Sequence, residues 1–260
     1  MASDFQAFRR MVRERLDAEA VDVFTGGDNV RLFHDSLASA LAHLTLRPAP
    51  VDPGGEPLSI VAGYVETLIP NALADFENGT HLIAMNNAMF VAIHEFAMFC
   101  FTQRDFFSDV GDPDMEISPS PLHDSVPGLW LLNHTKGSGH VEEHHGLEIT
   151  PRGESRYAAS IYLAMLMCRF VWLHEFQHCF NGHIRFVQED GRSMRLFEIA
   201  EPMHMISPST EADEEYWRDR RCLEFDADQS AFWASCRIQM ANRENIEGIA
   251  GDCAEFCAPA

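Results

Sequence analysis

The sequence has no run of lysine and arginine, no internal repeat and no continuous apolar stretch at its start, and each absence argues against a class of protein. Nineteen basic residues stand against 40 acidic ones, giving a formal net charge of −21. A field of that sign repels phosphate backbones and anionic headgroups, so neither nucleic acid nor a membrane is an expected partner. Residues 1–24 mix arginine with carboxylates at helical spacing and lack the apolar core of a secretory signal. The seven cysteines are odd in number and scattered, not spaced as a disulfide framework. Cys100, Cys168, Cys179 and Cys236 fall in apolar helical stretches, where a reduced thiol packs as a small hydrophobe, and the expected compartment is the cytoplasm. Cys253 and Cys257 have helical spacing but no neighbouring Cys or His to complete a zinc ribbon.

What is present is the balance of a folded chain: 260 residues, 46% hydrophobic and 23% charged, read as a single domain over 1–260. Amphipathic spacing predicts helices at 4–24 and 29–46, an N-terminal helical cap within 1–47, followed by a Pro/Gly-rich linker. The core, 58–238, is expected to hold a helix at 58–76, a strand at 80–85 and an apolar helix at 87–101. Residues 106–153 are rich in Gly, Pro, Ser, Asp and His and read as a long irregular loop. Ser155 is the expected N-cap of a helix running to Asn181, its stretch 157–173 apolar enough to be buried, with Gly182 in the left-handed position after its end. Residues 183–187 and 194–199 read as a hairpin, and Ser209 or Thr210 caps a last helix to about Ile238. The sum is an α+β fold, predominantly α-helical, with a small sheet or hairpin beside the main helix.

His174 and His178 lie four residues apart in that helix, so both imidazoles leave one face and can hold one cation. Zinc accepts such nitrogens at about 2.0–2.1 Å, while Glu175, about 100° around the helix, is placed for the metal's water. His94-Glu95-Phe96-Ala97-Met98 copies the first half of the pattern but offers Met98 where the second imidazole is needed, so His94 reads as a core histidine. A third ligand has to come from elsewhere, and the last helix offers Glu224-Phe225-Asp226-Ala227-Asp228, with Glu224 and Asp228 on one face. Asp226 points about 200° away from Glu224, so Asp226→Asn is expected to be close to silent. Cys222 is equally far around the helix from Glu224 and is not a ligand.

In these two motifs the chain resembles the gluzincin metallopeptidases, in which a His-Glu-x-x-His helix is completed by a Glu-x-x-Ala-Asp helix. The resemblance implies a zincin-like core, one zinc ion held by His174, His178 and Glu224, Asp228 as the acceptor that braces a metal histidine, and Glu175 as general base. A metzincin would need Gly at position 181 and His at 184, where the chain has Asn181 and Ile184. Asn181-Gly182-His183 is similar to small bacterial and phage-associated peptidases, the Lit-type phage-exclusion peptidases among them, over residues 80–234.

The expected activity is therefore zinc-dependent hydrolysis of a protein or peptide substrate. His204, His183 and Tyr216 are candidate oxyanion donors, and strand 80–85 is a candidate edge for an extended peptide. A zinc amidase or esterase and a non-catalytic zinc scaffold with a regulatory role are the rival readings. A retained base at Glu175 and the lack of an obvious fourth protein ligand argue against the silent scaffold. His140, Glu142, Glu143, His144 and His145 form a second dense cluster, able to bind metal weakly or to stay a solvated loop.

Overall fold

The computed structural model describes residues 5–21, 38, 55, 57, 59–67, 69–116, 150–189, 196–197 and 211–243, with backbone alone at 188–189, 196–197, 211–216 and 241–243. It is a mixed α+β fold, mostly helical. The elements are α1 (Phe5–Leu16), β1 (Glu19–Val21), β2 (Ser59–Glu66), β3 (Ala72–Glu77), β4 (Thr80–Asn86), α2 (Asn87–Thr102), α3 (Glu154–Phe180), α4 (His183–Glu189), β5 (Leu196–Phe197) and α5 (Glu211–Arg243).

The strands form one sheet in the order β1-β2-β4-β3-β5, with β2 and β4 parallel and the other neighbours antiparallel. Side chains alternate across it, as the period of two requires. Val61, Val65, Leu73, Leu82 and Ala84 face α1, where Phe8, Met11 and Val12 form an i, i+3, i+4 stripe. Ala62, Tyr64, Ala72, Ala74, Ile83 and Met85 face the opposite layer, where α2 and α3 supply Met89, Ile93, Ala97, Cys168, Trp172 and Phe176. Trp172 Nε1 donates to Tyr64 Oη at 3.2 Å, tying α3 to β2. α5 packs on α3 through Leu173, Ala231 and Ile238. By length and composition alone α3 could cross a membrane, yet its apolar side chains are shared among the sheet, α2 and α5.

The expected helix at 58–76 is two strands. Ile60, Val61, Tyr64 and Val65 favour a pleated surface, and Asn78-Gly79, with φ of 50° and 80°, makes the tight turn that pairs β3 with β4. The expected hairpin is also corrected: residues 183–187 are helical, and Leu196–Phe197 pairs with β3 instead. The first helix stops at Leu16, not at 24, because Asp17 turns left-handed at φ 50° and the chain enters β1. The expected helix 29–46 lies outside the described residues except for Ala38.

The N-cap of α3 is Gly153, two residues before the expected Ser155, and α5 runs on to Arg243. The strand expected at 80–85 is present as β4, but β2 and β3 flank it on both sides, so it offers no edge to a peptide. Of the long loop, 106–116 and 150–153 are described, with a single 3-10 turn at Pro113–Met115.

That loop leaves and returns at one buried node. Arg156, fully buried, donates from Nε to Phe101 O, from Nη1 to Phe107 O and Val110 O, and from Nη2 to Gln103 O and Phe106 O, at 2.9–3.0 Å. Its five donors thus satisfy five carbonyls at and beyond the C-terminus of α2. Glu116 lies 3.5 Å from Arg156 Nε and accepts the backbone N–H groups of Arg152 and Gly153 at 3.1–3.2 Å.

Candidate metal centre

The centre forms where the last two turns of α3 meet the middle of α5. Ala227 and Ala231 are fully buried on the inward face of α5, and their small side chains let the two helices approach closely. Glu224 then reaches across to the histidines of α3. Its Oε2 lies 3.2 Å from His174 Nε2 and 3.4 Å from His178 Nε2, and the two Nε2 atoms are 3.0 Å apart. Among the described residues this is the only group of three or more His, Cys, Asp or Glu side chains arranged to hold a metal ion.

Hydrogen bonds behind the rings fix their tautomers. An ionised carboxylate only accepts, so Asp228 Oδ1, 2.9 Å from His174 Nδ1, places the proton of His174 on Nδ1 and leaves Nε2 bare. Asp226 Oδ2, 2.9 Å from His183 Nε2, places the proton of His183 on Nε2. His183 Nδ1 is then an acceptor, and at 3.0 Å it receives the Nδ1–H of His178. His178 Nε2 is therefore bare too.

Two lone pairs and a carboxylate oxygen converge with no proton among them. Such a donor set is stabilised by a cation between its members, and its separations of 3.0, 3.2 and 3.4 Å come near the roughly 3.3–3.4 Å between tetrahedral ligands at zinc's bond lengths. The other oxygen of Glu224, Oε1, is buried without a hydrogen-bond partner among the described residues. The residues present thus fit a zinc ion in chemistry and geometry.

Electrostatics agree. Burial raises the Glu224 carboxyl, but the imidazoles of His174 and His178 beside it outweigh that and hold the group down at about 2. Burial pulls His178 below the ordinary imidazole value, only partly offset by Glu224. His183 is lowered by burial and by His178, against the pull of Asp226. Glu175 is 1% exposed, one residue beyond His174, and its charge adds to the burial that drives Cys179 well above the usual thiol value.

The structure brings together His174, His178, Glu224 and Asp228, and Glu175 is buried one residue beyond His174. His183 has both ring nitrogens engaged behind His178, which turns it away from the oxyanion role expected for it. Asp226, expected to be a bystander, holds His183 and also accepts from Asn181 Nδ2 at 2.7 Å. His204, the side chain of Tyr216 and the cluster His140–His145 lie outside the described residues. His94, half-buried on α2, is not part of the trio, and Cys222 is exposed. The relay through His183 was missed because phase along α5 alone says nothing of α4; its one signal was a histidine directly after Gly182. Comparison with family models, curated proteins and solved structures finds no match for the chain.

Proposed function

We propose that this chain is a zinc-dependent hydrolase that cuts peptide bonds, with His174, His178 and Glu224 holding one zinc ion and Glu175 as general base. The observation that carries the reading is the meeting of two bare imidazole nitrogens and a carboxylate oxygen within 3.0–3.4 Å. Bound there, zinc supplies a Lewis acid with an open fourth position, which makes water a nucleophile at neutral pH and polarises a carbonyl.

The chain's own residues do the rest. Asp228 holds His174 at Nδ1, which orients the ring, fixes its tautomer and leaves Nε2 to the metal. Glu175, buried next in sequence to His174, is the carboxylate this reading assigns as base. A carboxylate there takes the proton from the attacking water and returns it to the leaving amine, a role that contributes about 10²–10⁴-fold. In this reading the site is similar to that of the gluzincin metallopeptidases, in which a His-Glu-x-x-His helix is completed by a Glu-x-x-Ala-Asp helix.

The test is a proteome-wide cleavage screen of the zinc-loaded protein against its Glu175→Gln variant. Products made only by the parent would identify the bond cut, and Glu175→Gln should keep its zinc while losing at least about 10²-fold in rate. Equal product patterns from the two proteins would remove Glu175 from the mechanism. A zinc-loaded parent that cuts no peptide but hydrolyses simple amides or esters would move the activity to that class.

A further inference from the structure

Asn181, Gly182 and His183 are not ligands in the three-residue centre, and Asp226 stands off the face of Glu224, yet the structure joins them into one chain of contacts. We propose that His183 and Asp226 are positioning residues that act on the metal centre through His178. The proposal rests on the metal-site reading above and adds to it how the second histidine is held.

The two metal histidines face different neighbours. The Nδ1 of His174 points at α5 and finds Asp228 directly. The Nδ1 of His178 points at α4, where His183 lies, ring centroids 5.1 Å apart at 69°, and takes the place that a carboxylate has behind His174. A neutral imidazole can accept at Nδ1 only if its proton is on Nε2, and Asp226 Oδ2 at 2.9 Å fixes it there. Asn181 Nδ2 donates to the same oxygen at 2.7 Å, holding Asp226 in place from the end of α3.

Each part of the run after the motif then has a task. Gly182 takes φ 75°, a left-handed turn that brings α4 back over α3 so that His183 meets a ring five residues earlier. Along α5, alternate carboxylates divide the work: Glu224 toward the metal, Asp228 behind His174, Asp226 behind His178 through His183. Remove the acceptor at 183 and the Nδ1–H of His178, a residue 1% exposed, has no counterpart. The other tautomer, with its proton on Nε2 in the metal's place, becomes competitive.

Zinc affinity of the full chain is measured by competition with a chromophoric chelator, and ligand geometry by the visible absorption of the cobalt(II)-substituted protein. His183→Leu is expected to weaken zinc about 10–100-fold and to shift the cobalt spectrum, the usual effect of losing a ligand's outer partner. His183→Gln, which keeps an acceptor, should recover most of both. Asp226→Asn should weaken zinc by up to about tenfold in the parent and add nothing in the His183→Leu background, since the two act in series. Asp219→Asn, an equal charge change elsewhere on α5, should be silent.

The relay is overturned if folded His183→Leu binds zinc within about twofold of the parent with an unchanged cobalt spectrum, or if Asp226→Asn keeps its full effect when His183 is gone. Should His183→Leu fail to fold, Asp226→Asn, whose side chain is 52% exposed, decides alone: parental affinity and spectrum overturn the relay. Glu224→Ala runs in parallel. If it loses zinc while the 183 and 226 variants do not, only the relay falls; if it too binds as the parent, the metal centre itself falls.

Discussion

In the tautomers that Asp228 and the His183–Asp226 pair favour, the Nε2 atoms of His174 and His178, 3.0 Å apart, have no proton between them, an arrangement that a shared cation stabilises. The purified chain should therefore carry about one zinc ion, and replacing both His174 and His178 by Ala should abolish it. Metal content unchanged in that double variant would move the site to the His140–His145 cluster. Acid should act on the same residues. Burial holds His178 and His183 below the ordinary value of 6.5, so near that pH the folded chain binds fewer protons than the unfolded one. Their contribution to stability is complete above pH 6.5 and is lost as the pH falls below it toward the depressed folded values. Glu224 follows lower down, its contribution complete above 4.5 and lost as the pH falls toward about 2. Denaturation midpoints of the metal-free protein should fall steadily on acidification from neutrality, and a flat profile between about pH 7 and 5.5 would contradict buried neutral imidazoles.

At the scale of elements, the node at Arg156 does the most with one residue. Its guanidinium is fully buried and closes off the C-terminus of α2 by donating to five carbonyls. Arg156→Leu leaves the buried Phe101 carbonyl without its donor and Glu116 without its buried cation, and urea denaturation should show a loss of about 3–5 kcal/mol. A loss under about 1 kcal/mol would mean that water replaces the guanidinium. Elements differ in how far they can be read in advance. α3 and α5 were legible because each keeps one periodic pattern over many turns and carries its chemistry at i, i+4. The apolar run at 58–76 suits a helix as well as strands, and the Asn78-Gly79 turn, with φ of 50° and 80°, commits its second half to a hairpin. Residues 183–187 misled in the other direction, since five residues match either period and the Cα trace after Gly182 depends on packing against α3 and β3. In the centre, side chains on continuous helices were legible; the contact of His183 with His178 depends on a tight turn and was not.

For the whole molecule, zinc would join α3 to α5 across a sequence separation of 50 residues between His174 and Glu224. A ligand that binds only the folded chain stabilises it by about 4 kcal/mol when present at a thousand times its Kd. Stripping the metal with a strong chelator should therefore lower the melting temperature by several degrees. An unchanged melting temperature after confirmed metal loss would mean that the two helices need no tie. The rest of the fold has a tie of its own at Glu116. Because that carboxylate grips the backbone of Arg152 and Gly153 directly, the chain can leave at 116 and re-enter at 152 whatever runs between. Replacing 118–149 by a short Gly/Ser linker should keep the fold and the zinc, read by circular dichroism and metal content, and an unfolded product would show that those residues belong to the core. A junction of that kind lets heredity treat the segment as a cassette, open to exchange, insertion or loss while the frame on either side is inherited intact.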